Sequence, residues 1–126
     1  WKLEVVEVEA GARRGEEPEE VVAAEAERIL ARLPREAGVV ALTRKGKGMT
    51  SRGLARWLSR QAVDASDVAF VIGGAWGLDA VVLERASRHL SLSPMTLPHE
   101  VARLCLAEQL YRAGTIVRGE PYHKGP

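Results

Sequence analysis

Cysteine is almost missing from this chain. Cys105 stands alone, which rules out an internal disulfide and fits a reducing compartment. No apolar run approaches the roughly 20 residues needed to cross a bilayer, and no segment carries a signal-peptide pattern. These lacks point to a cytoplasmic protein away from membranes. An excess of one charge is lacking too. Eighteen Lys and Arg against 17 Asp and Glu leave a net +1, so the overall balance announces no polyanionic partner, and any basic surface must come from local arrangement. The three histidines, His89, His99 and His123, show no metal-ligand spacing, so no metal site is expected. Internal repeats and low-complexity segments are absent as well.

What is present suffices for one compact unit. The 126 residues are 46% hydrophobic, enough for the core of a single domain spanning 1–126. Leu3 to Val8 alternates in part and predicts a strand, and residues 10 to 19, with Gly, Arg, Glu and Pro, predict a loop. From Glu19 to Leu33 the apolar positions Val22, Ala26, Ile29, Leu30 and Leu33 recur at helical spacing, and Pro34 ends the helix. Val39–Leu42 reads as a buried strand, Arg44–Gly48 as a basic loop, and Thr50 or Ser51 as the cap of a helix with Leu54, Trp57, Leu58 and Ala62 inward. Val68–Ile72 has no polar interruption and predicts a central parallel strand covered on both faces. A helix from Leu78 to Ser87, a short strand near Leu90–Leu92, a deeply buried helix from Pro98 to Ala113 and a last strand at Thr115–Val117 complete the series. Alternating strands and helices define an α/β domain with a parallel sheet and flanking helices.

Chemistry concentrates in the second half. Gly73-Gly74-x-x-Gly77 follows the apolar strand, where missing Cβ atoms let a ligand approach the backbone at the usual crevice of an α/β sheet. A tight strand-to-helix turn explains the same glycines, and the spacing is not the dinucleotide fingerprint. The tail brings together residues suited to a polar substrate. His123 suits proton transfer near neutral pH, Arg112 offers a planar fork for a phosphate or an enolate-like oxygen, and Tyr122 can stack on a base. Arg52, Arg56 and Arg60 recur every four residues and share one helix face, which suits either solvent or phosphate contact.

Three ordered segments carry a resemblance. Gly73-Gly74-x-x-Gly77-Leu78, then Leu90-Ser91-Leu92-Ser93-Pro94-Met95-Thr96-Leu97-Pro98-His99, then Tyr111-Arg112-Ala113 with Gly119-Glu120-Pro121-Tyr122-His123-Lys124 closely resemble the RlmH family of SPOUT methyltransferases. The resemblance implies an α/β fold with a C-terminal trefoil knot, S-adenosyl-L-methionine as cofactor, and methylation of a pseudouridine N3 in 23S ribosomal RNA on the ribosome by a homodimer. It implies that Leu42, Gly73, Leu92, Ser93, Pro94, Met95, Thr96 and Leu97 hold the cofactor and that Arg112, Tyr122 and His123 serve catalysis. The opening strand resembles the family's second, so the chain reads as an N-terminally truncated member. Gly114 stands where the family has a bulky, usually aromatic residue, and Thr43 where it commonly has an acidic one. The alternative is a non-catalytic SPOUT-like module that binds RNA or the cofactor.

Overall fold

The computed structural model describes residues 2–8, 16–64 and 66–126. Among the described residues, four helices and three strands follow in order: α1 (Pro18–Arg32), β1 (Gly38–Lys47), α2 (Ser51–Val63), β2 (Val68–Val71), α3 (Ala80–Arg85), β3 (Arg88–Leu90) and α4 (His99–Arg118). The strands are parallel in the order β2-β1-β3. Consecutive residues of β1 face opposite ways, as the period of two requires. Val40 packs with Leu54, Trp57, Leu58, Leu90 and Ala113, and Val39 packs with Ala26, Ile29, Val71 and Val82. The sheet is thus sandwiched, with α2 and α4 on one face and α1 and α3 on the other.

Local signals set the helix ends. Pro18 opens α1, where a missing N–H costs no hydrogen bond. The Thr50 hydroxyl accepts the Gly53 N–H at 2.9 Å, and the Asp79 carboxylate accepts the Val81 N–H at 2.9 Å, each satisfying a donor that the first turn leaves free. Gly119 closes α4 in the left-handed region at φ 71°, and the Glu120 N–H reaches back to the Thr115 carbonyl, the usual glycine stop.

Several expectations are corrected. Leu3–Val8 belongs to no strand, and Leu3, Val5 and Val6 are exposed. Most of the loop expected over 10–19 lies outside the described residues. The basic segment Arg44–Lys47 is not a loop but the continuation of β1. Its pairing with β3 jumps from Leu42↔Leu90 to Lys47↔Leu90, and a Cβ on Gly46 would sit 2.7 Å from the His89 carbonyl, so glycine permits the close approach. β2 lies at the edge of the described sheet, and β1 is the strand paired on both sides. No strand forms at Thr115–Val117 because α4 runs through to Arg118; Thr115 caps a carbonyl inside the helix, its hydroxyl donating to the Arg112 carbonyl at 2.7 Å. Nor is α4 deeply buried. Val101, Leu104 and Tyr111 are exposed, Leu104 by 70%. Spaced three and seven apart, they form one apolar stripe along the helix.

Candidate active site

Because the strands are parallel, the turn after β2 and the loop after β3 emerge at the same edge of the sheet, on either side of the far half of β1. They differ in construction. The glycine turn closes on itself. The Gly77 N–H donates to the Gly74 carbonyl at 3.1 Å, and Gly77 sits at φ 83°. A Cβ on Gly73 would lie 2.8 Å from the Gly77 carbonyl, and one on Gly74 would lie 2.8 Å from the buried Glu25 carboxylate of α1. The absence of a side chain at Gly73 is therefore required by the protein's own backbone, whereas one at Gly74 would meet only the end of the Glu25 side chain.

The second loop opens instead onto a cleft of about 310 Å³ between β3, the start of α2 and the middle of α4. Leu92 and Leu97 line it from the loop, Thr50, Ser51 and Leu54 from α2, and Cys105 and Gln109 from α4. The Ser51 hydroxyl donates to Gln109 Oε1 at 2.6 Å, tying α2 to α4 across this wall. Leu42 packs against the same core and pairs with Leu90 just below the cleft. Ser93 does not face the cavity. Its hydroxyl accepts the Met95 N–H at 2.9 Å and shapes the loop, while Pro94, Met95 and Thr96 lie exposed on the outside. Of the expected cofactor residues, then, Leu92 and Leu97 line one cavity, Leu42 supports it, and Gly73 stands at the neighbouring turn.

Arg112, Tyr122 and His123 do come together. Arg112 Nε donates to Glu108 Oε1 at 2.6 Å, an i,i+4 ion pair with both side chains mostly covered. The guanidinium carbon lies 4.9 Å from the centre of the Tyr122 ring, within cation–π range, and Tyr111 meets Tyr122 edge-on at 5.0 Å. The bond to Glu108 raises the Arg112 pKa above its ordinary value, with burial opposing it, so the charge is held firmly. Arg112 Nη1 also lies 3.1 Å from His123 Nδ1. A guanidinium can only donate, so Nδ1 accepts and the neutral ring carries its proton on Nε2. That atom is buried and lacks a partner among the described residues. As packed here, one ring nitrogen is engaged by Arg112 and the other is covered.

Sequence reasoning overlooked the α2 and α4 contributions. Ser51 was legible only as a cap, yet it walls the cleft. Gln109, polar among the leucines of mid-α4, and Glu108, beside it and one turn before Arg112 at ion-pair spacing, were the available signals.

A cavity of this size falls at the small end of ligand sites, about 300–1,000 Å³, and its apolar walls carry a few hydroxyl and amide groups. Among the described residues, no three His, Cys, Asp or Glu side chains gather as a metal site would require, and no helix is long and apolar enough to cross a membrane. Residues 1–123 match the sequence model of a family described as Predicted SPOUT methyltransferase. Proteins named Ribosomal RNA large subunit methyltransferase H are similar to nearly the whole chain. That of Gemmatimonas aurantiaca is 58% identical over 98% of this chain and 80% of its own length. Those of Paraburkholderia phymatum and Burkholderia thailandensis are 46% and 47% identical over the same shares. With the match running nearly end to end, this chain belongs to the SPOUT methyltransferase family.

Proposed function

We propose that this chain is an S-adenosylmethionine-dependent methyltransferase that acts in the cytoplasm on N3 of a pseudouridine in 23S ribosomal RNA. The observation that carries the reading is that α4 serves two sites at once. Cys105 and Gln109 line the cleft, and one turn further on Arg112 gathers Glu108, Tyr122 and His123. The names of the relatives support ribosomal RNA of the large subunit as the substrate.

The cofactor would supply an electrophilic methyl group on a sulfonium. Leu54, Leu92 and Leu97 would pack its apolar faces, and Ser51, Gln109 and the backbone of the second loop would read its polar edges. An imide nitrogen must shed its proton, here to solvent water, before it is a good nucleophile. The Arg112 cation, oriented by Glu108, favours the resulting anion, and Tyr122 offers a ring on which a base can stack. His123 packs against Arg112 through Nδ1 and holds the tail on that cation.

The reading includes a homodimer, for which the exposed stripe of Val101, Leu104 and Tyr111 on α4 is the supporting feature, and the C-terminal trefoil knot that the family resemblance implies. Large-subunit particles from cells lacking this modification, incubated with methyl-labelled cofactor, should incorporate one methyl group at N3 of a pseudouridine. Arg112→Ala should lower turnover by about 10²–10³-fold while S-adenosylhomocysteine affinity stays within a few-fold in calorimetry. S-adenosylhomocysteine binding with no methyl transfer to any particle would instead favour the non-catalytic module.

A further inference from the structure

We infer that the segment from Arg44 to Arg60 is a phosphate-binding surface that holds the backbone of an RNA substrate beside the cofactor cleft; this extends the RNA methyltransferase reading by assigning where the nucleic acid lies. Charge is distributed very unevenly along the chain. No Asp or Glu occurs between Glu36 and Asp64, and the six cations Arg44, Lys45, Lys47, Arg52, Arg56 and Arg60 all fall in that interval. With a whole-chain balance of only +1, everything outside the interval is net acidic. The near-neutral total conceals a strongly basic strip.

Folding leaves that strip open. Arg52, Arg56 and Arg60 are exposed, and none is bonded to a carboxylate among the described residues. The arginines of α4 are treated differently, since Arg103, Arg112 and Arg118 are each paired with a glutamate. Unpaired guanidiniums keep their donors free for a planar anionic acceptor.

The stripe is also rigid and well spaced. Leu54, Ala55, Trp57 and Leu58 bury the opposite face of α2, so the helix cannot roll. A step of four residues advances about 6 Å along the axis, close to the separation of successive phosphates on one RNA strand. Arg56 and Arg60 flank a shallow depression with Ser59 and Val63, which gives a sugar–phosphate chain a seat. Thr50 and Ser51, immediately before Arg52, form part of the cleft wall, and the Lys47 carbonyl accepts the Ser91 N–H at the root of the second loop. One continuous stretch thus walls the cofactor cleft on its inner side and offers cations on its outer side. The contacts go to phosphates, so they position the substrate without reading sequence.

The test compares wild type, the triple variant Arg52→Ala/Arg56→Ala/Arg60→Ala, the charge-keeping triple lysine variant, and Arg32→Ala at the end of α1 as a control. Binding of protein-free large-subunit ribosomal RNA is measured across salt concentrations, and S-adenosylhomocysteine affinity by calorimetry. The alanine variant should lose about 10- to 100-fold in RNA affinity at moderate salt. Its plot of log affinity against log salt should be shallower by about 2–3 units. The cofactor affinity should not change, which also certifies the fold. Lysines should restore the slope and part of the affinity, and Arg32→Ala should match wild type. An unchanged slope and affinity in the alanine variant overturns the assignment. So does a variant that binds protein-free RNA normally but fails on whole particles, because the partner would then be a ribosomal protein. The slope can change in a protein that transfers no methyl group, and methyl transfer can proceed normally with the slope untouched, so the two readings fail separately.

Discussion

The two faces of the sheet are built from alternate residues of the same strand, yet they carry different loads. On the α1/α3 face, Val39 meets Ala26, Ile29, Val71 and Val82, and its outer helix α1 carries Glu19, Glu20 and Glu27 along with Arg28 and Arg32. On the α2/α4 face, Val40 meets Leu54, Trp57, Leu58 and Ala113; here lie the cleft, the Ser51–Gln109 bond, the Arg112 cluster and the arginine stripe. The difference teaches that apolar packing serves both faces alike, while the polar groups that can bind or react are gathered on one. A lesion on the α1/α3 face should therefore be purely structural, and a comparable lesion on the α2/α4 face should be structural and functional together.

Core truncations provide the largest expected contrast. Ile29 and Leu54 are buried on opposite faces, and cutting either to alanine removes similar volume. Ile29→Ala and Leu54→Ala should each lower unfolding stability by about 2–5 kcal/mol in urea titrations. Only Leu54 also lines the cleft. In calorimetry well below the unfolding transition, Leu54→Ala should weaken S-adenosylhomocysteine binding while Ile29→Ala leaves it unaltered. If Ile29→Ala weakens the cofactor as much as Leu54→Ala does, the division of labour between the faces is wrong.

The glycine turn sharpens the comparison, because it belongs by position to the ligand edge and by packing to the α1/α3 face, where Leu78 joins the core. Gly77→Ala meets no neighbour but must hold φ 83°, which costs an L-residue about 1–2 kcal/mol. Gly73→Ala would drive a Cβ to 2.8 Å from the Gly77 carbonyl, and backbone cannot give as a side-chain tip can, so this overpacking should cost about 1–3 kcal/mol. Thermal midpoints should fall in the order wild type, Gly77→Ala, Gly73→Ala. Should Gly73→Ala keep its stability and lose the cofactor instead, Gly73 serves the ligand directly rather than the turn.

How much of this was legible beforehand depended on whether local signals decided the outcome. Periodicity and caps located α1, α2, β2 and β3 to within a few residues, because Thr50 and Pro34 act on their own neighbours, whereas β1 ran on through a basic segment that reads as a loop. Thr115–Val117 misled because β-branched residues favour strands only weakly, and a helix already running from His99 passed through Gly114 and continued to the stop at Gly119. The exposure of Leu104 was invisible, since periodicity shows that a stripe is apolar but not what covers it. The cluster of Arg112 with Tyr122 and His123 was legible only through family resemblance, and the same resemblance could not reveal that Arg112 occupies the Nδ1 lone pair of His123. Gln109 went unread because its significance lies in a bond to Ser51, 58 residues away, whereas Glu108 stood at a readable ion-pair spacing from Arg112.

The smallest effect is expected at the far end of α4, where two arginine–glutamate pairs invite comparison. Arg118 Nε bonds Glu120 Oε1 at 2.6 Å, the same length as the Arg112–Glu108 bond, but its partners are 52% and 46% exposed against 23% and 34%. Solvent screens the outer pair, and such pairs contribute little; the inner pair also holds the guanidinium that contacts His123 and Tyr122. The hydrogen bond from Arg118 keeps the Glu120 carboxyl below its ordinary pKa. A carboxylate depressed in the folded state adds stability above its unfolded pKa, and that contribution fades as pH falls through the lowered folded value. Thermal midpoints of Glu120→Gln and wild type should accordingly differ slightly at pH 7 and converge below the carboxylate range. At pH 7, Glu108→Gln should be the more damaging of the two changes, because it frees Arg112 and the tail packed on it. Equal shifts from the two substitutions would show that the covered position of Glu108 adds nothing over an exposed pair, and the special standing of the α2/α4 face would lose its support at this end of the helix.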